Sequence, residues 1–474
     1  MSNEITADIV VIGGGSGGLS VAAGASQMGA DVVLLEKAKM GGDCLNYGCV
    51  PSKAMIAAAH AAHAVRSADR FGIAAAEPVV DFEKVHDHVH GVIGAIAPHD
   101  SVERFEGLGV RVIQEHGKFV GPNKVQAGDT VITAKRIVIS TGSHAGVPPI
   151  PGLQDVPFLT NERVFDKKAA PDHLIVLGGG PIGSELAQAH RRLGCKVTIL
   201  EMFTVLGKDD PELTEVVKNR MLSEGIVMRE GIKVVRVERA DNGIAVVIED
   251  DGKEERIEGS DLLVSAGRVP NLEGLDLEAA GIEYDKRGVT VDARLRTTNK
   301  KVFAIGDAAG GFQFTHVAGY HAGIVIRNIL FRLPAKVDYS ALPWVTYTDP
   351  ELAHVGMTEV QAREKYGDIR VLRHSFAEND RAQAERETDG LAKIITTAKG
   401  VIVGASIVGP HAGELLQSWI LPIQKKMKIG AIAGIIIPYP TLGEVNKRAA
   451  GSYYTPKLFS EKTKKIVSFL LKLG

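Results

Sequence analysis

The chain has 474 residues, room for about three domains of ordinary size. Its 55 Lys and Arg against 57 Asp and Glu, a net charge of −2, and its 5% aromatic content give neither an electrostatic nor a stacking case for nucleic acid. Only three cysteines, no basic secretory leader and no apolar run of roughly 18 residues argue against a secreted disulfide framework or a membrane span, so a cytoplasmic setting is expected.

Ile9-Val10-Val11-Ile12 reads as a buried strand. Gly13-Gly14-Gly15-Ser16-Gly17-Gly18 follows it, then a helical stretch Leu19–Met28 and a second strand, Val32–Leu35, ending on Glu36. This is a dinucleotide fingerprint in its strand–turn–helix context. Gly13, Gly15 and Gly18 let the backbone approach a pyrophosphate, the helix N-terminus favours its charge, and Glu36 accepts from a ribose hydroxyl.

Next comes Gly41-Gly42-Asp43-Cys44-Leu45-Asn46-Tyr47-Gly48-Cys49-Val50-Pro51-Ser52-Lys53, which holds two of the three cysteines. Pro51 suits a first helical turn, so a helix is expected to begin just after Cys49 and run through the Ala/His-rich Ala54–Ala64. A helix N-terminus and a nearby cation lower a thiol pKa, which thiol–disulfide exchange requires. His60, His63, His86, His88, His90 and His99 lie nearby; His86 and His90 share a helix face, but no carboxylate or cysteine pattern completes a metal site, and they read as polar helix positions.

Ser140-Thr141-Gly142-Ser143 closes the first segment, and Pro148–Gly152 reads as a linker. The strand–glycine–strand unit then recurs. Leu174–Leu177 leads into Gly178-Gly179-Gly180-Pro181-Ile182-Gly183, and Val197–Leu200 ends on Glu201, at a constant offset of 178 − 13 = 201 − 36 = 165 residues. Two such units predict two dinucleotides. A carboxylate at Glu201 repels a 2′-phosphate, and Met202–Val205 supplies no Arg or Lys to hold one, so NADH is expected over NADPH. Cys195, just before the last strand, reads as a small buried apolar residue. Farther on stand Ser265–Asn271, with Gly267 inside it, then the strand-like Val302–Asp307 ending in Gly-Asp, Val345–Glu351, and Ile437-Pro438-Tyr439-Pro440-Thr441-Leu442-Gly443-Glu444.

These motifs together resemble the pyridine nucleotide–disulfide oxidoreductases, the family of glutathione reductase, dihydrolipoamide dehydrogenase and mercuric ion reductase. The resemblance runs to about residue 450. It implies an α/β fold of two nested Rossmann-like dinucleotide-binding domains and a C-terminal α+β dimerisation domain. The boundaries expected are 1–148 and 270–337 for FAD, 149–269 for NAD(H), and 338–474 for a homodimer-forming domain. It further implies a redox-active Cys44–Cys49 disulfide, with Cys49 on the flavin side and Cys44 meeting the substrate. Lys53 would pair with Glu185 beside the flavin, and Asp307 would bond the ribityl chain. Thr141, Gly142 and Gly267 would line the cofactors, and Gly183 would favour NADH, since NADP-preferring relatives often carry Ala there.

One position departs from the pattern. Disulfide reductases of the family carry His-Pro-Thr with a Glu five residues after the His, and that His shuttles a proton. Here Glu444 is kept but Tyr439 replaces the His. A phenol is only about a thousandth ionised at pH 7 and is a weak base. Tyr at this place resembles mercuric ion reductases, yet no cysteine follows Cys195 to deliver metal. The expected activity is therefore FAD-dependent, NADH-driven reduction of a thiol-bound, metal-thiolate or disulfide acceptor. The alternatives are a dihydrolipoamide dehydrogenase and, from another class, a non-catalytic redox-sensing flavoprotein. The basic, apolar tail Glu461–Leu473 suits a membrane surface or a protein partner, while a helix packed on its own domain is the commoner outcome for such a segment.

Overall fold

The computed structural model describes residues 3–473. Its backbone divides into two compact units. The first comprises Met1–Gly178, Arg192–Lys196 and Val234–Val337; the second comprises Gly179–Arg191, Val197–Lys233 and Asp338–Gly474.

The first unit is built on a seven-stranded mixed sheet. Strand Asn3–Ile12 lies at its centre, parallel to Val32–Leu35 on one side and Thr130–Ile139 on the other. Val110–Ile113 extends the sheet beyond Val32–Leu35, and Val302–Ala304 pairs in parallel with Ile137–Ile139. The central strands are near-continuous apolar runs because both faces are covered. Ile9, Val11, Val32 and Leu34 join a core with Leu19, Ala22, Ile324 and Val325. Their neighbours Val10, Ile12, Val33 and Leu35 join the opposite core with Phe119, Ile132 and Ala280. This two-residue alternation is what a pleated strand imposes.

The first helix spans Ser16–Gln27, three residues ahead of the expected Leu19 start, because Gly15 in extended conformation already ends the strand turn. Val302–Asp307 is a shorter strand than expected: Val302–Ala304 is extended, and Gly306–Ala309 turns into a 3-10 helix. Gly306 has φ +59°, so the segment leaves the sheet there. In the same unit His173–Leu177 pairs in parallel with Asp261–Val264. Cys195 is buried, as its position predicts. His86 and His90 stack with ring centroids 4.0 Å apart.

In the second unit Thr198–Leu200 pairs in parallel with Val227–Arg229. A five-stranded antiparallel sheet runs in the order Pro343–Thr346, Glu351–Gly356, Ile402–Gly409, Leu391–Thr397, Ile369–Ser375. Helices Ala412–Gln424 and Glu444–Ser452 cover it, with Trp419, Leu416, Phe376 and Val445 fully buried between. The Trp419 indole donates to Asn446 Oδ1 (2.9 Å), which fixes the two helices together.

Lys393 on that sheet is 5% exposed, and its ammonium meets Asp210 (2.7 Å), Glu212 (2.9 Å) and Glu359 (2.9 Å). Removing the cation leaves the buried Asp210 side chain without its ion partner, while Glu212 and Glu359 keep Arg373 and Arg363. Lys393→Met is expected to cost about 3 kcal/mol, read as a lower denaturant midpoint; an unchanged midpoint would refute the assignment. The Arg373 guanidinium, and then Lys393, hold the Glu212 carboxyl at about 2 instead of the ordinary 4.5. A depressed carboxyl stabilises the fold fully above pH 4.5 and loses that contribution as pH falls towards 2, so Arg373→Ala is expected to flatten the acid limb of the stability curve.

The expectation of a packed C-terminal helix is not met. Glu461–Leu470 is helical and capped by Ser460, whose hydroxyl accepts from Thr463 N, but none of its residues is buried. Its apolar side chains Ile466, Val467, Phe469 and Leu470 are exposed. Among the described residues no helix is long and apolar enough to cross a membrane.

Candidate functional site

The site in the first unit starts with the glycine turn. Gly13 has φ +109°, and a Cβ there would lie 2.4 Å from the carbonyl oxygen of Ser140. The Ser140 hydroxyl donates to the carbonyls of Ile12 and Gly13, both 3.0 Å, and locks this crossing. At Gly18 a Cβ would fall 1.9 Å from the Gly13 carbonyl oxygen. Around Gly15 the space is open, its nearest neighbour being Gly42 Cα at 3.8 Å from a Cβ position. A close-packed turn with an open outer face and a helix N-terminus behind it fits the pyrophosphate of a dinucleotide.

Both carboxylate oxygens of Glu36 already hold backbone. Oε2 accepts from Gly14 N and Oε1 from Ala38 N, each at 2.7 Å. Each oxygen keeps a further lone pair, so capacity for a ribose hydroxyl remains. In the second unit Glu201 repeats this: Oε2 accepts from Gly179 N (2.7 Å) and Oε1 from Phe203 N (2.9 Å). Every partner is displaced by the same 203 − 38 = 165 residues, so the repeat holds at the level of single hydrogen bonds. Gly178 has φ +104° in the first unit, with a Cβ position 2.6 Å from Ser265 O. Gly180 is open in the second unit, where Gly183 lies in helix Pro181–Arg192.

Cys44 lies in the short helix Gly42–Asn46 and Cys49 is the first residue of helix Cys49–Arg66. Gly41 and Gly42 have φ +86° and +62°, which turns the chain into the short helix, and Tyr47-Gly48 joins it to the next. The two cysteines are free thiols that hydrogen-bond to each other. Cys49, exposed, also sits 3.4 Å from the Thr315 hydroxyl. The bond from Cys44, then Thr315, then the Lys53 ammonium hold the Cys49 thiol down at about 6, against burial and the Asp43 charge. That same bond, with burial, pushes Cys44 up. The pair is thus split into a thiolate at Cys49 and a proton-bearing thiol at Cys44, an arrangement suited to thiol–disulfide exchange.

Several residues that sequence reasoning missed support this segment. Arg268 contacts Asp43 (3.1 Å) and lies 3.9 Å from Asp307, and its Nε donates to the Ser143 hydroxyl (2.7 Å). Ser143 in turn donates to Asp307 Oδ2 at 2.5 Å. Asn161 donates to Asp43 Oδ1 (3.0 Å) and to the Tyr47 carbonyl (3.1 Å). Arg268 therefore ties the cysteine segment to Asp307, whose carboxyl is pushed up by burial in spite of Ser143 and Arg268. Both Asp43 and Arg268 lie inside motifs legible in the sequence, but their charge pairing is not. Thr141 and Gly142 are held by Asn271, which donates from Nδ2 to the Thr141 carbonyl (2.9 Å) and from N to the Gly142 carbonyl (2.9 Å). Gly267, φ +115°, has open space at its Cβ position.

Lys53 stands in the first unit, donating to the Ser52 hydroxyl (3.4 Å). Glu185 stands in the second, 6% exposed, accepting from Tyr347 N (2.9 Å). Tyr439 and Glu444 also belong to the second unit. Tyr439 is 69% exposed and its hydroxyl donates to Asp380 Oδ2 (2.9 Å). That bond, with the charges of Asp380 and Glu444, pushes the phenol above its ordinary 10. Asn379 donates to the Thr441 carbonyl (3.1 Å) and pins the same loop. Glu444 opens helix Glu444–Ser452, 4.0 Å from Arg448.

Residues 7–322 match the pyridine nucleotide-disulphide oxidoreductase family, and residues 342–450 match its dimerisation domain. The mercuric reductase of Bacillus cereus is 34% identical over 445 residues, 93% of this chain and 70% of that protein. The dihydrolipoyl dehydrogenase of Bacillus subtilis is 36% identical over 461 residues, 94% of this chain and 96% of that protein. Among solved structures, the HOCl-induced flavoprotein disulfide reductase RclA of Escherichia coli superposes with a TM-score of 0.85 at 27% identity, covering 94% of this chain and 99% of that one. Two glycine turns with paired carboxylates, a thiol pair between them and these matches lead to one assignment: the chain belongs to the pyridine nucleotide-disulphide oxidoreductase family and is a flavin-dependent oxidoreductase that uses FAD and a pyridine nucleotide.

Proposed function

We propose that the protein is an NADH-dependent reductase of a thiol-bound, metal-thiolate or disulfide acceptor, working through Cys44 and Cys49. The observation that carries this reading is the thiolate–thiol pair itself, with Cys49 lowered and Cys44 raised. Bound FAD supplies the two-electron link between the pyridine nucleotide and this pair. In net terms, NADH converts the Cys44–Cys49 disulfide to one thiol and one thiolate and leaves as NAD+, the hydride supplying both electrons and the single proton. Cys49 keeps its charge because Thr315 and Lys53 support it, and Cys44 holds the proton. Residues 1–148 and 270–337 hold FAD, 149–269 hold NADH and 338–474 form a homodimer in this reading. Gly13, Gly15, Gly18, Glu36, Thr141, Gly142 and Asp307 line the first site. Gly178, Gly180, Gly183, Glu201 and Gly267 line the second, and Lys53 and Glu185 belong to the catalytic set in this reading.

Tyr439 bears on the acceptor. Its hydrogen bond to Asp380 raises the phenol pKa and makes it a weaker proton donor than free phenol, so an acceptor that must receive a proton from this position is served badly. Reduction of a metal held by thiolates needs no such donor. The likeness to mercuric reductases, and a solved RclA in complex with Cu(II), support this side of the reading. The 36% identity to a dihydrolipoyl dehydrogenase supports lipoamide instead.

The deciding assay is NADH oxidation with lipoamide, and separately with thiol-complexed Hg(II), for wild type and Tyr439→His, with NADPH as the cofactor control. The expected result is turnover of the metal complex by wild type, at least tenfold slower lipoamide turnover, and a lipoamide gain in Tyr439→His. Fast lipoamide turnover by wild type would replace this reading with a dihydrolipoamide dehydrogenase, and equal use of NADPH would remove the role given to Glu201.

A further inference from the structure

The C-terminal helix Glu461–Leu470 lies beyond residue 450, where the dimerisation-domain match ends, and no catalytic or cofactor residue of the reading above falls in it. Ile466, Phe469 and Leu470 recur at the i, i+3, i+4 spacing of one helix face, and Leu473 follows just past its last turn. Phe469 is 62% exposed, Leu470 56% and Leu473 68%. Lys462 lies one turn before Ile466 on the stripe itself, while Glu461, Lys464, Lys465, Ser468 and Lys472 fall beside and opposite the stripe, along with the exposed Val467 and Leu471. From Thr455 to Gly474 there are five lysines and one acidic residue, in a chain whose net charge is −2.

We propose that this helix lies in the surface of an anionic lipid bilayer and holds the enzyme at the membrane. Charge selects this occupant. Lys465 and Lys472 beside the stripe and Lys462 at its N-terminal end run their methylene stems along it and place their ammonium groups among lipid phosphates. A second copy of this segment would bring the same excess of lysine, with Glu461 the one acid in it, and so offers no complementary charge. The stripe is also too short and too interrupted by lysine to span the bilayer, so the helix rests on the surface.

The test uses the full-length, FAD-loaded protein sedimented with phosphatidylcholine vesicles, with or without phosphatidylglycerol, at low and high salt. Wild type is expected to pellet with the anionic vesicles, about tenfold less with the neutral ones, and to be released by salt. Phe469→Glu with Leu470→Glu is expected to remain in the supernatant, with NADH-driven bleaching of the flavin unchanged. A second variant, Lys462→Glu with Lys464→Glu, keeps the apolar stripe but reverses its charge and is expected to lose the anionic preference. Wild type that stays in solution with anionic vesicles, or a Phe469/Leu470 variant that pellets as well as wild type, would overturn the proposal. So would a vesicle-free change in oligomer size that the Phe469/Leu470 variant abolishes, which would assign the helix to a second copy.

Discussion

Cys44→Ser is expected to lower acceptor turnover by about a thousandfold or more while leaving reduction of the bound flavin by NADH within a few-fold of wild type. The split follows from the geometry. Cys44 carries the proton and donates to Cys49, and without its sulfur no disulfide can close and reopen. Serine keeps a hydroxyl donor beside Cys49, so the packing of Gly42–Asn46 against helix Cys49–Arg66 is retained. The glycine turns and their carboxylates lie apart from this sulfur in their bonding, so the cofactors stay in place. Anaerobic stopped-flow bleaching measures the first half-reaction, and steady-state turnover measures the whole. Full acceptor turnover in Cys44→Ser would eliminate the thiol route; loss of flavin bleaching as well would mean the substitution had damaged the cofactor site.

The second large effect concerns the flavin. Gly18→Ala is expected to yield protein with less than about a tenth of the wild-type flavin content. The added Cβ falls 1.9 Å from the Gly13 carbonyl oxygen and 2.6 Å from the Ser140 hydroxyl. The first of these is backbone, and it belongs to the turn that must face the pyrophosphate, so relief of the clash moves the cradle itself. Overpacking of this kind costs about 1–3 kcal/mol in stability, which a domain survives, but the displaced turn no longer presents its amides. Gly91→Ala is the control: it sits in helix Phe82–Ile96 with nothing within 4 Å of its Cβ position, and it is expected to bind flavin normally. The ratio of flavin to protein absorbance reads both. Stoichiometric flavin in Gly18→Ala would remove the assignment of this turn as the cofactor cradle.

The parts of the molecule that were legible beforehand are those where one local rule decides. Val32–Leu35 is a strand within the bounds its apolar run suggests, because both faces of the sheet are covered and nothing competes. The glycine turns were legible because few other residues fit there, and the structure carries the repeat down to the amides bonded by Glu36 and Glu201. What escaped the sequence depends on residues far apart. Arg268 meets Asp43 across 225 positions because a strand return brings it there, and no spacing rule announces that. Thr315 reaches Cys49 from the start of another helix. Asp380 engages Tyr439 from a helix whose position is set by the antiparallel sheet. The exposed C-terminal helix escaped for the opposite reason: its amphipathic pattern was plain, but a pattern says that a face wants a partner and not which one.

The most direct measurement is the state of Cys44 and Cys49 before and after NADH. Both lie in one tryptic peptide, Met40–Lys53, so a single mass spectrum after alkylation reports the pair. Oxidised, FAD-loaded protein is expected to give this peptide unalkylated and internally cross-linked, and anaerobic NADH is expected to convert it to the doubly alkylated form. A peptide that alkylates fully before NADH, or remains cross-linked after it, would contradict the claim that these two thiols carry the electrons.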